Sequence, residues 1–214
     1  MKKKVGLLSM VMVLMLMMIT ACGGKDNKEV SLGVTESGTY TNDFFGLSLN
    51  FPKEWVYQDA DQMMKLMDAG QEVVAGGDKA KSKMLDLAKT KTLNLLMASE
   101  FPLDSGKTGA SAISVAEKVS MLQGIKDGKD YLESSKKLME DSKLPYEFEA
   151  IKTVKVGGKD MDMMKASINT GAALVTQEYY STIIDGYAFN LILTYVDEKT
   201  KAETDKILES VSFK

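Results

Sequence analysis

The cleanest alternation of apolar and polar positions lies near the C-terminal end. Tyr187, Phe189, Leu191, Leu193 and Tyr195 take every second position of residues 187–196, the period of a strand with one buried face. Residues 147–156, 159–169 and 172–184 precede it as further strands. Gly157-Gly158, Thr170-Gly171 and Asp185-Gly186 stand at the joins, and the first and last fit two-residue hairpins. Together these predict an antiparallel meander of four strands. The alternation slips near Ala150-Ile151 and Met163-Met164, which predicts bulges there. Earlier in the chain, 39–42 and 47–51 read as a short strand pair closed by Pro52, 92–99 as a buried strand, and 110–120 as another with Ile113 and Val115 in phase.

Helical spacing appears in three regions. In 59–74, Ala60, Met63, Met64, Met67 and Val74 fall on one face, with Asp59 as cap. Gly76-Gly77 interrupts, and Met84, Leu87, Ala88 and Lys91 continue a narrower stripe. Residues 127–142 form the clearest helix, with Tyr131, Ser135, Leu138 and Met139 inward and Pro145 just past its end. Asp197 caps a last helix whose inward residues are Thr204, Ile207, Leu208 and Val211. Core filling is the better account of the Met-rich face, and a core anchor the better account of Trp55, the only tryptophan.

One stretch obeys neither period. Lys2, Lys3 and Lys4 are followed by residues 5–19 without a charge, then by Thr20, Ala21 and Cys22. This is the layout of a secretory signal, and its apolar run of about 15 residues is short of the roughly 20 needed to span a bilayer. Ile19-Thr20-Ala21-Cys22 resembles the lipobox of bacterial lipoproteins. That resemblance implies a diacylglyceryl group on the Cys22 thiol, removal of residues 1–21, and anchoring on the extracytoplasmic face of the cell membrane. Residues 22–37 then read as lipidated Cys and polar tether, and 38–214 as a single globular domain. Cys22 is the only cysteine, so no disulfide forms within the chain.

Composition narrows the chemistry. Loss of the signal leaves 193 residues, enough for one sizeable core, with 24 lysines against 30 acidic residues, net −6. An acidic surface argues against nucleic acid and against a polybasic grip on anionic lipid, leaving the lipid as the expected membrane connection. There is no His and no Arg, so the usual general base, the commonest zinc ligand and the bidentate anion fork are all missing. We expect no catalytic, metal or cofactor-binding residues. Gly106-Lys107-Thr108 matches the tail of a phosphate loop, but Phe101 stands where the earlier glycine is required. Ser134 and Lys137 have the Ser-x-x-Lys spacing without the rest of that signature, and Asp160 and Asp162 read as a solvated strand face.

The stretch Phe45-Gly46-Leu47-Ser48-Leu49-Asn50-Phe51-Pro52-Lys53-Glu54-Trp55, with Tyr40 before it, resembles the opening of PsbP/DcrB-like domains. The ending Ile207-Leu208-Glu209-Ser210-Val211-Ser212-Phe213 is similar as well. The likeness spans 38–214, with motifs at the two ends only. It implies an α+β fold, an α/β/α sandwich around a central antiparallel sheet, and a binding or assembly role in place of catalysis. The expected function is that of a non-catalytic, membrane-anchored envelope module that takes a protein or small-ligand partner. The alternatives are a solute-binding receptor for a transporter, and a carboxylate- or Ser/Lys-dependent hydrolase. Tyr179 and Tyr180 must point to opposite faces of their strand, one of them core and the other a candidate exposed contact.

Cys22→Ser should abolish lipid labelling and move the protein out of the membrane fraction. Mass spectrometry of the native polypeptide checks this, and labelling unchanged by the substitution refutes lipidation at Cys22.

Overall fold

The computed structural model describes residues 30–58, 62–65, 79, 90–102, 105–142 and 144–214. The signal segment, Cys22 and most of the two Met-containing helical stretches lie outside the described residues. Of the first stretch, residues 62–65 are helical; Met63 is buried but its expected companion Met64 is half exposed.

Among the described residues, twelve strands form two antiparallel sheets. The small sheet has the order β1 (Val34–Glu36), β2 (Thr39–Asn42), β3 (Leu47–Asn50), β12 (Ser212–Phe213). The large sheet runs β4 (Val56–Gln58), β5 (Thr92–Ser99), β6 (Ser111–Lys118), β11 (Tyr187–Tyr195), β10 (Leu174–Ile184), β9 (Lys159–Asn169), β7 (Tyr146–Phe148), with β8 (Lys152–Val156) also pairing with β9. Beside the helical residues 62–65, the described helices are α1 (Gly128–Asp141) and α2 (Glu198–Ser210), with a 3-10 turn at Met121–Gln123. The fold class is α+β, and the four-stranded meander is present in the order its turns require.

Both faces of the large sheet are covered. On one, α1 packs over β9 and β10, burying Tyr131, Leu132, Met139, Met164, Tyr179 and Ile192 together. On the other, α2 and the small sheet bury Leu47, Leu49, Phe189, Leu191, Ile207 and Val211. That second layer is therefore part helix and part sheet. Two-sided cover explains β11, whose nine residues are all buried although the sequence alternates. It also explains why Tyr179 and Tyr180 do point to opposite faces yet are both buried, so neither is an exposed contact.

The helix ends follow the sequence. Asp127 Oδ1 accepts from Asp130 N at 2.9 Å, capping α1, and Asp197 forms a reciprocal capping box with Thr200 at α2. The turns at Gly157-Gly158 (φ +56° and +86°) and Asp185-Gly186 (φ +49° and +78°) have the two successive positive φ values of a type I′ hairpin.

The slip at Ala150-Ile151 is present as expected, as one more residue than on β9, and it separates β7 from β8. Two expectations change. Order begins before Gly38: β1 pairs with β2, Tyr40 Oη donates to Leu32 O, and Asn42 Nδ2 to Ser31 O, shortening the tether predicted for 22–37. The slip at Met163-Met164 is no bulge, because β9 pairs with β10 in unbroken register. Met161 and Met163 fill the α2-side core, Met164, Ala166 and Ile168 the opposite face; burial changes sides while the strand runs on. A true irregularity sits between Asn94 and Leu96, turning Leu95 and Leu96 into the same core.

The β8–β9 turn gives a paired test. A Cβ on Gly158 would meet open space, whereas one on Gly157 would lie 2.7 Å from Val211 O. Gly158→Ala should cost about 1 kcal/mol, the strain of a left-handed non-glycine residue, and Gly157→Ala clearly more. Urea unfolding midpoints at constant m-value provide the comparison.

Candidate functional site

Strand register places six residues in one line across the sheet, on the face below α1: Asn94 (β5), Val115 (β6), Asn190 (β11), Ser181 (β10), Asp162 (β9) and Thr153 (β8). Five of the six are polar. Glu117 lies on the same face of β6, opposite Ala188 and diagonal to Asn190. Asn94, Glu117, Asn190 and Ser181 are at least nine-tenths buried, while Thr153 is exposed, so the line runs from the interior toward solvent.

The first turn of α1 closes this row from above. Gly128 sits so near that a Cβ would lie 2.3 Å from Ser181 O and 3.1 Å from Asp162 Oδ2, so only glycine permits the approach. One turn later Tyr131 donates through its hydroxyl to Glu117 Oε2 at 3.0 Å, and its side chain also hydrogen-bonds Asn190. Asn190 Nδ2 donates to Ala188 O at 3.0 Å, and Thr153 Oγ1 to Asp162 Oδ1 at 2.8 Å.

Several oxygens in the row have no protein partner: Glu117 Oε1, Asn94 Oδ1, Asn190 Oδ1 and Ser181 Oγ. Buried polar atoms rarely remain unpaired, since each costs roughly 1–3 kcal/mol. Burial pushes the Glu117 carboxyl up to about 8, against the opposing pull of the Tyr131 hydrogen bond and the Lys91 charge. At neutral pH the group is largely neutral and carries a proton that it can donate. The row thus presents acceptor oxygens and two hydroxyl-type donors, suited to a small polar ligand rich in N–H or O–H groups.

The opposite face carries a closed network. Both Glu178 carboxylate oxygens accept from tyrosines, Tyr180 at 2.6 Å and Tyr195 at 3.1 Å, and Lys201 is held by Asp205 at 2.7 Å. With its valences filled, this cluster stabilises the packing of α2. A shallow groove over β1 and β2, lined by Val34, Glu36, Ser37, Thr39 and Thr41, has no buried polar group facing it.

The residues singled out in the sequence are scattered. Ser134 is half-buried and Lys137 exposed on α1, away from the row. Asp160 is exposed and paired with Lys155 at 2.7 Å; Asp162 belongs to the row through its register, not as one of a carboxylate pair. Lys107 lies over the Phe101 ring, 4.9 Å from its centroid. Cys22 lies outside the described residues. Among the described residues, no group of three Asp, Glu, Cys or His side chains is arranged to hold a metal, and no helix is long and apolar enough to cross a membrane. Glu117, Asn190, Ser181 and Asn94 were not legible as a site, because they sit on four strands and only the register brings them together.

No protein-family model matches the chain, and no curated protein does. Solved structures similar to it include cyanobacterial PsbP (CyanoP) of Synechocystis sp. PCC 6803, at 12% identity over 92% of this chain and 99% of that one, TM-score 0.47. LpqN of Mycobacterium tuberculosis, involved in cell envelope biogenesis, is similar at 14% identity over 78% and 82%, TM-score 0.43. A protein of Bacteroides thetaiotaomicron VPI-5482 is similar at 14% identity over 79% of this chain but only 45% of its own length, TM-score 0.40. At these identities and TM-scores the likenesses carry no functional argument.

The Glu117 shift has a definite pH signature. The unfolded carboxyl ionises near its ordinary 4.5, the folded one near 8, so the native state binds the extra proton between those values. Stability therefore falls as pH rises from about 4.5 to about 8, by up to about 1.4 kcal/mol per pH unit, and levels off above. Chemical denaturation at several pH values should show this slope in the wild type and a much flatter one in Glu117→Gln.

Proposed function

We propose that the protein is an extracytoplasmic lipoprotein, anchored through Cys22, that serves as a non-catalytic small-ligand binding module of the cell envelope. The anchor rests on the basic, apolar and small-residue segment ending at Cys22. The binding role rests on one observation: the buried row of Asn94, Asn190, Ser181 and Glu117 with unfilled hydrogen-bonding valences, in a domain whose half-buried Glu178 network is closed. Its ligand is a small molecule with several N–H or O–H donors, such as a primary amine or a polyol.

A second reading, a carboxylate-dependent enzyme, is favoured by the raised Glu117 carboxyl beside Tyr131, the environment of a general acid. No second carboxylate or activated nucleophile stands beside Glu117 among the described row residues, so binding is the better account.

A thermal-shift screen of the mature protein with primary amines and polyols separates these readings. A ligand that raises Tm should lose most of that effect in Asn190→Leu while remaining chemically unaltered on incubation with the wild type. Turnover of the ligand, abolished by Glu117→Gln, would favour the enzyme. No shift from any compound in the screen would count against a ligand site in the row.

A further inference from the structure

Met121 and Leu122 form the tip of the 3-10 turn between β6 and α1, and they are 79% and 90% exposed. Single exposed apolar residues are ordinary; two adjacent ones projecting almost fully from a turn form a small apolar knob with nothing among the described residues packed on it. Their place in the fold is specific. Val119 N donates to Gly186 O at 3.0 Å; the next residue, Tyr187, stacks edge-on with Phe44 and Phe45 of the β2–β3 turn at 5.8 and 6.0 Å. That turn is joined through Asn42 to Ser31, near the start of the described chain. The tip and the emerging N-terminal segment thus share one end of the large sheet.

We infer that the Met121–Leu122 tip is a membrane-contact element that inserts into the interfacial region of the phospholipid bilayer to which the chain is tethered. The inference rests on lipidation at Cys22. Only seven residues lie between Cys22 and Val30, eight steps of chain with a reach of about 26 Å at ~3.3 Å per residue. So short a tether keeps this end of the domain beside the lipid and gives the tip a high effective concentration at the surface. Lys118 and Lys126, exposed on either side, can reach the headgroups, while the exposed Asp43, Asp127 and Asp185 at the same end leave its charge mixed. Apolar insertion, not attraction to anionic lipid, is the binding term. The lipid on Cys22 is then not the whole membrane connection that composition suggests.

The test uses the mature lipidated protein in vesicles of phosphatidylethanolamine and phosphatidylglycerol, with Cys22 blocked by its own lipid. Leu122→Cys and Ala172→Cys each accept one environment-sensitive fluorophore, Ala172 being exposed at the β9–β10 turn on the opposite end. With nitroxide-bearing lipid, the label at 122 should be quenched several-fold more than the label at 172. Equal quenching at the two sites, with the protein co-floating with the vesicles, overturns the tip's role and leaves the anchor standing. Shielding at 122 in native membranes but not in protein-free vesicles overturns it in favour of a protein partner. Failure of the unsubstituted protein to co-float overturns the anchor and this inference together.

Discussion

Two-sided burial of the large sheet is the constraint on which the rest of the structure depends. A sheet with one wet face can place its polar residues there. With α1 on one side and α2 plus the small sheet on the other, the central strands are buried on both faces along most of their length. Every buried polar residue in β6, β10 and β11 must then find a partner inside the protein or leave a valence open. The domain does both. Gln177 donates to Thr194 at 3.0 Å and accepts from the Tyr179 hydroxyl, and Glu178 is held by two tyrosines. The row below the first turn of α1 stays partly open.

That contrast is what supports the binding role proposed for the row. Buried acceptors left unpaired oppose folding, and a sequence indifferent to them would replace Asn190 or Asn94 with an aliphatic residue at little cost in shape. Gly128 lets the helix approach closely, Tyr131 holds one oxygen of Glu117, and the other oxygen remains available. Low dielectric surroundings keep Glu117 protonated at neutral pH, so the site presents a donor as well as acceptors. The absence of His and Arg from the chain fits recognition by neutral hydrogen bonds more readily than recognition of an anion.

The two ends of the large sheet are built differently. The β2–β3, β8–β9 and β10–β11 turns, the start of the described chain and the Met121–Leu122 tip gather at one end of the sheet. The β9–β10 turn lies at the other. Under the anchoring proposed at Cys22, attachment at the first end leaves the second facing away, and the polar row runs across the sheet toward the exposed Thr153 of β8. Orientation on a surface then follows from the short stretch of chain between Cys22 and Val30, without any charged patch.

Much of this was legible in the residues themselves. Strand alternation, the Gly157-Gly158 and Asp185-Gly186 turns, and the caps at Asp127 and Asp197 depend on contacts within a few residues, so local chemistry determined them. The lipobox resemblance at Cys22 is local in the same sense. What only the tertiary structure decided is non-local. It set which faces of β10 and β11 are dry, that Met163 and Met164 belong to different cores, and that Tyr180 is interior. It also brought Asn94, Glu117, Asn190 and Ser181 to one place. Register between strands far apart in sequence depends on the sum of many side-chain contacts across the sheet, and no single segment carries that sum.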